Sequence, residues 1–150
     1  MSKTSAAASE LISEVFRLNN RLLATGDALV ADLGLTSARS QVLGALSAQP
    51  ATASQTARTL GLTRQAVQRV VNELAAEGFL IAVPNPRHRR ASLLRPSEKG
   101  YRAIAAASAR QAPWAEALAG GLAPQKIQRM AQRLRRMRER LETPAALSPA

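Results

Sequence analysis

The sequence predicts a mainly helical fold carrying one small β-hairpin, built around a helix-turn-helix and flanked by long N- and C-terminal helices. Three observations predict it. Between Ala53 and Val71 the small, glycine and apolar positions fall where two crossing helices need them. Leu80–Val83 and Ala91–Leu94 are short β-prone runs on either side of a basic loop. Apolar residues recur at helical spacing from Ser9 to about Val30 and again after Pro124.

Taken in order, residues 1–7 read as a polar, flexible start. The first helix, Ser9 to about Val30, places Leu11, Val15, Leu18, Leu22 and Leu29 on one side, and Ile12, Phe16, Leu23 and Val30 widen that stripe. So broad an apolar face exceeds what one small domain covers. It points to burial against a second copy of the chain, with packing on the chain's own core as the alternative. Gly34-Leu35-Thr36 is a break followed by an N-cap, and Ala38–Ala48 continues as a helix through Val42, Leu43 and Leu46 until Gln49-Pro50-Ala51 ends it.

Thr52 with Gln55 reads as a capping box for the next helix. Ala57 is small enough for a crossing helix to approach. Gly61 can end the helix in the left-handed conformation without a Cβ penalty, and Thr63 can cap the helix that follows. There Val67, Val70, Val71 and Leu74 form an inward stripe, leaving Arg64, Gln65, Gln68, Arg69 and Asn72 outward. Those outward types are the ones that read base edges, Arg against guanine and Gln or Asn against adenine. Two packed helices with a merely solvated polar side would share some of this pattern, but not an outward face with no acid before Glu73.

Glu77-Gly78-Phe79 stops the second helix. The β-prone runs then enclose Pro84-Asn85-Pro86 and the basic tip Arg87, His88, Arg89 and Arg90, which makes a wing. Ser97 caps another helix, with Tyr101, Ile104, Ala105, Trp114 and Leu118 apolar and Pro113 expected to kink or divide it. Pro124 opens the last helix, where Ile127, Met130, Leu134, Met137 and Leu141 recur, and residues 143–150 read as a flexible tail.

Composition narrows the function. The chain has 150 residues, one domain by length, and its net charge of +11 implies a polyanionic partner. Residues 1–50 carry four basic and four acidic side chains, whereas 51–95 carry seven basic (Arg58, Arg64, Arg69, Arg87, Arg89, Arg90 and Arg95) and two acidic. The excess therefore sits with the helix-turn-helix, which favours DNA over a membrane surface. A second excess, seven basic against two acidic, lies in 123–142. Its arginines, Arg129, Arg133, Arg135, Arg136, Arg138 and Arg140, fit an extra DNA contact, a partner for acids of another subunit, or a solvated face. With no cysteine and one histidine, thiol chemistry is excluded, no metal site or cofactor is expected, and no nucleophile and base can be assembled into an enzyme. The start lacks a basic segment followed by an apolar run, and no stretch approaches the roughly 20 apolar residues of a membrane span. A cytoplasmic protein without membrane contact is expected. A non-specific architectural nucleic-acid protein is the alternative to a sequence reader, although phosphate binding alone has no need of glutamine.

Over about residues 9–142 the chain resembles the MarR family (multiple-antibiotic-resistance regulators). Leu62-Thr-Arg-Gln-Ala-Val-Gln-Arg-Val-Val-Asn-Glu-Leu-Ala-Ala-Glu-Gly-Phe-Leu80 resembles the family's recognition helix and the start of its first wing strand. Asn85-Pro-Arg-His-Arg-Arg-Ala-Ser-Leu-Leu-Arg-Pro-Ser-Glu-Lys-Gly100 resembles its wing and the helix after it. The resemblance implies one domain, with about 36–95 as the winged helix-turn-helix and about 9–34 and 97–142 as dimerisation helices. It implies a homodimer on pseudo-palindromic double-stranded DNA, usually a repressor. Thr63, Arg64, Gln65, Gln68, Arg69 and Asn72 would lie in the major groove, with Arg90, Arg87 and Arg89 at the flanking minor groove. The last helix falls in the dimerisation region, which favours a solvated or interfacial role for its arginines. The family's regulation implies a small aromatic or anionic effector, for which Phe16, Arg17, Asn20, Arg39, Tyr101 and Trp114 are candidate contacts. Two departures stand out. His88 occupies the place of a usual aspartate, so the wing is expected to be held differently, and as a lone loop histidine it reads as a surface residue or minor phosphate contact. Pro96-Ser97 replaces a usual Leu-Thr, removing one apolar anchor.

Overall fold

In the computed structural model, which describes residues 2–143, the chain runs α1 (Lys3–Val30), a 3-10 turn (Ala31–Leu33), α2 (Ser37–Ala48), α3 (Ala53–Leu60), α4 (Arg64–Ala76), β1 (Leu80–Val83), β2 (Leu93–Pro96), α5 (Glu98–Ala119) and α6 (Pro124–Glu142). It divides between Gln111 and Ala112 into two compact units. The first holds one core, in which Val30, Leu35, Val42, Leu43, Leu46, Ala57, Val67, Val70, Val71, Leu74, Phe79, Leu80, Ala103 and Ala107 pack together. The second contains the end of α5 and all of α6.

The first helix begins earlier than its apolar pattern. Ser2 accepts the backbone N–H of Ser5 at 3.0 Å, and Ala6, Ala7 and Ala8 are strong helix formers, so residues 3–8 are helical rather than a loose start. The tail beyond Thr143 lies outside the described residues. Gly34 takes φ 72° after the 3-10 turn, and Thr36 caps α2 by accepting the Arg39 N–H at 3.2 Å.

The second wing strand lies two residues further on than Ala91–Leu94. It pairs antiparallel with β1 in the register Leu80↔Pro96 to Val83↔Leu93. Asn85 is the reason. Its Oδ1 accepts the Arg87 N–H at 3.0 Å and its Nδ2 donates to the Ala91 carbonyl at 2.9 Å, which holds 85–91 as a closed loop. This tie secures the wing without the missing aspartate at position 88. Ala51 then adds a single bridge on the other edge of β2, donating to the Leu94 carbonyl at 3.3 Å and accepting its N–H at 2.8 Å. Pro96 is fully buried, so it supplies the apolar anchor that its replacement of leucine was expected to remove.

Ser97 joins the wing to α5. Its Oγ accepts the Gly100 N–H at 3.1 Å and donates to the Gly78 carbonyl at 2.6 Å. The inner face of α5 is Gly100, Ala103, Ile104 and Ala107, whereas Tyr101 and Ala105, expected on the apolar side, are exposed. Small residues win the inner face because the backbones come close. A Cβ at Gly100 would overlap the Phe79 carbonyl oxygen. Pro113 lies inside α5 without dividing it.

A Gly100→Ala variant is expected to lose about 1–3 kcal/mol of unfolding free energy through this overpacking. Urea denaturation followed by circular dichroism measures it.

Candidate nucleic-acid interface

The local chemistry of α3 and α4 fixes how α4 is presented. Thr52 and Gln55 form the reciprocal capping box, with N–H to oxygen distances of 3.2 and 2.9 Å. Thr56 and Ala57 turn inward. Gly61 ends α3 at φ 65°, in the left-handed region, and Thr63 accepts the Ala66 N–H at 3.1 Å to start α4. Val67, Val70, Val71 and Leu74 are buried beneath α4. Burying each such side chain contributes about 1.5–3 kcal/mol, against about 1 kcal/mol for a cap. The stripe therefore sets the rotation of α4 about its axis, and the caps set its ends.

That rotation turns Arg64, Gln65, Gln68, Arg69 and Asn72 together onto one open surface. Gln68 donates from Nε2 to Asn72 Oδ1 at 2.9 Å, one turn apart. The pair holds both amides in place and leaves donors and an acceptor facing outward. Thr63 is exposed, and its hydroxyl can still donate while its oxygen serves the cap.

Glu73 of α4 and Glu77 at its C-terminal cap are both held by Arg39. Arg39 on α2 donates from Nη2 to Glu77 Oε1 at 2.8 Å and from Nη1 to Glu77 Oε2 at 3.0 Å, and reaches Glu73 Oε2 at 3.2 Å. A further Nη1 bond, at 3.1 Å, ties Arg39 to the Gly34 carbonyl. Its side chain is only 17% exposed. The hydrogen bond from Arg39 holds the Glu77 carboxyl below the usual glutamate range, assisted by the charges of Arg39 and Lys99 and opposed by desolvation. The sequence alone groups Arg39 with the effector contacts, whereas the structure commits it to these two acids. Their spacing, four residues apart on the last turn of α4 and its C-terminal cap, is the signal that points to the clamp.

On the wing, Arg87, His88, Arg89 and Arg90 are all exposed. Arg87 and His88 also line an open cleft of about 890 Å³ with Gln55, Arg58 and Thr59 of α3 and the Ala48–Thr52 connection. This juxtaposition of Arg58 with the wing is not visible in the sequence, because it depends on the Ala51–Leu94 rung.

The remaining candidates do not assemble in the same way. Phe16 is 66% exposed on α1, Arg17 bonds Glu14 of its own helix at 3.4 Å, and Asn20 and Tyr101 are exposed. Trp114 belongs to the second compact unit. Among the described residues no hydrogen bond joins any two of the six. No helix among them is long and apolar enough to cross a membrane.

A family model described as "MarR family" matches residues 33–91. The uncharacterized protein Rv2011c of Mycobacterium tuberculosis is 39% identical over 127 residues, covering 85% of this chain and 89% of its own length. Among solved structures, the PcaV transcriptional regulator of Streptomyces coelicolor, in complex with its natural ligand, is 27% identical with a TM-score of 0.69, covering 81% of this chain and 89% of that one. The transcriptional repressor CouR, bound to a 23-mer DNA duplex, is 23% identical with a TM-score of 0.76, over 91% of this chain and 98% of its own.

The Arg39 clamp has a definite pH dependence. Because Glu77 titrates lower in the folded state than in the unfolded one, its contribution is fully present above the unfolded pKa and is lost as pH falls through the folded value. Denaturation midpoints of wild type and Arg39→Gln should differ most at neutral pH and converge in acid, below the ordinary glutamate range.

Proposed function

The chain belongs to the MarR family and is a DNA-binding transcriptional regulator; we propose that it acts as a homodimeric, ligand-responsive repressor on a pseudo-palindromic operator. The observation that carries this reading is the outward face of α4. It gathers two guanidinium groups and three amides on one surface, while Arg39 pairs with both of the nearby acids, Glu73 and Glu77.

In this reading Arg64 and Arg69 take guanine O6 and N7, and Gln65, Gln68 and Asn72 take adenine N6 and N7. The Gln68–Asn72 hydrogen bond limits how far either amide can swing, so less side-chain freedom is lost on docking. Thr63 serves a phosphate at the start of the helix. Arg90, with Arg87 and Arg89, follows the flanking minor groove, and Arg58 and His88 in the neighbouring cleft contact the strand between the two grooves.

Dimerisation is supported by the apolar side chains left uncovered. Leu11, Ile12, Val15, Phe16, Leu18 and Leu23 are exposed along α1, and Ile127, Met130, Leu134, Met137 and Leu141 along α6. A row of exposed apolar side chains on a long helix marks an interface. Two copies related by a twofold axis would set their α4 helices about 34–36 Å apart, one turn of DNA, so half-site spacing is a geometric expectation. Repression is the activity named for CouR, and effector response follows the ligand-bound PcaV. A small aromatic or anionic effector contacting residues among Phe16, Arg17, Asn20 and Tyr101, or Trp114, must prefer one dimer geometry to alter DNA affinity.

Light scattering should give twice the chain mass for wild type and a lower mass for Ile12→Glu with Leu134→Glu. On a selected operator, Gln68→Ala should reduce the ratio of operator to scrambled-duplex affinity by about 1–3 kcal/mol. Arg90→Ala should weaken both duplexes more nearly alike. A Gln68→Ala protein with an unchanged ratio would remove α4 as the reader.

A further inference from the structure

The charge of α6 has no part in the function described so far. Lys126, Arg129, Arg133, Arg136 and Arg140 recur at intervals of three and four residues, one position ahead of the apolar series Ile127, Met130, Leu134, Met137 and Leu141. At 3.6 residues per turn the five cations fall within an arc of about 80° and run about 21 Å along the helix. No acid shares the arc. Glu139 lies about 60° outside its edge, and Glu142 lies on the other flank of the apolar series, where it faces Arg138 at 3.6 Å. None of the five forms a salt bridge among the described residues, and all are exposed.

A helix face that serves only solubility mixes signs, because opposite charges three or four residues apart stabilise a helix and like charges destabilise it. Here every successive pair in the stripe is like-charged. Such a row is favourable only against a row of negative charge. Four of the five are arginines, whose planar fork matches phosphate oxygens two at a time. The apolar series beside them, once covered by another copy, would leave the stripe along the rim and bring two such stripes into one assembly.

We propose that this stripe is a second DNA-binding surface, which takes the phosphate backbone of duplex DNA without reading sequence. It rests on family membership for DNA as the polyanion: a regulator held on DNA by α4 keeps further phosphates at high local concentration. The phosphates belong either to the flank of the same duplex or to a second segment, which the protein would then bridge.

The test uses the full chain with mixed-sequence duplexes, one short and one long. The variant carries Arg133→Gln, Arg136→Gln and Arg140→Gln, and its control carries lysine at the same positions. The slope of log affinity against log salt should be shallower for the glutamine variant by about 0.9 for each phosphate it no longer neutralises, while the lysine control keeps the wild-type slope. A difference confined to the long duplex identifies flanking DNA. Capture of a labelled second duplex by protein on immobilised DNA identifies bridging. Equal slopes on both duplexes overturn the proposal, and so does stripe-dependent binding to phosphatidylglycerol vesicles with equal DNA slopes. Should the glutamine variant fail to fold, phenylglyoxal labelling of wild type decides. Duplex DNA should protect Arg133, Arg136 and Arg140. Protection of Arg64 and Arg90 with none on the stripe overturns this proposal and leaves the winged-helix reading intact.

Discussion

Burial of Val67, Val70, Val71 and Leu74 beneath α4 is the constraint on which the rest of the DNA-binding unit depends. One helix has to satisfy two environments. Its inner side must fill the space under α2 and α3 at close-packed density, and its outer side must stay wet and positively charged. A rotation of one residue, about 100°, would put Arg69 or Gln68 into that core, where an unpaired polar group costs several kcal/mol. The apolar stripe thus fixes which five side chains share the open face of α4. Ala57 and Gly61 complete the constraint, since small volume at one and a left-handed backbone at the other let α3 and α4 cross closely.

Electrostatics then refines what packing has set. The acids Glu73 on α4 and Glu77 at its C-terminal cap would repel a polyanion if left alone. Arg39 gathers both and anchors them to the Gly34 carbonyl, so the cap of the 3-10 turn, the start of α2 and the C-terminal end of α4 share one network. Arg110 plays a similar part at the other side of the unit. It donates to the Leu29 carbonyl at 2.9 Å and to Asp32 Oδ2 at 2.8 Å, and this hydrogen bond holds the Asp32 carboxyl below its usual range. Both arginines join elements distant in sequence through charge-assisted bonds.

Local signals in the sequence are legible because each acts over four residues or fewer. The Thr52–Gln55 box, the Gly61 turn, the Thr63 cap and the valine stripe all belong to this class, and together they define the open face of α4. What the sequence hides depends on long-range pairing. The second strand shifts to Leu93–Pro96 because Asn85 closes the loop before it, and Ala51 becomes a strand rung only when the wing folds back beside α3. Tyr101 is apolar enough for the core, yet the close approach at Gly100 reserves the inner face of α5 for smaller residues. Arg39 is visible as a cation near a helix start, but its partners lie 34 and 38 residues away.

The central claim is that the α4 face reads sequence while the remaining charge supplies affinity. Selection of bound duplexes from a random-sequence DNA pool, repeated at several salt concentrations, tests it most directly. The account predicts enrichment of a palindromic motif with half-sites about one helical turn apart, and a motif that persists as salt weakens overall binding. Recovery of the starting pool without enrichment, with affinity governed by salt alone, would contradict it.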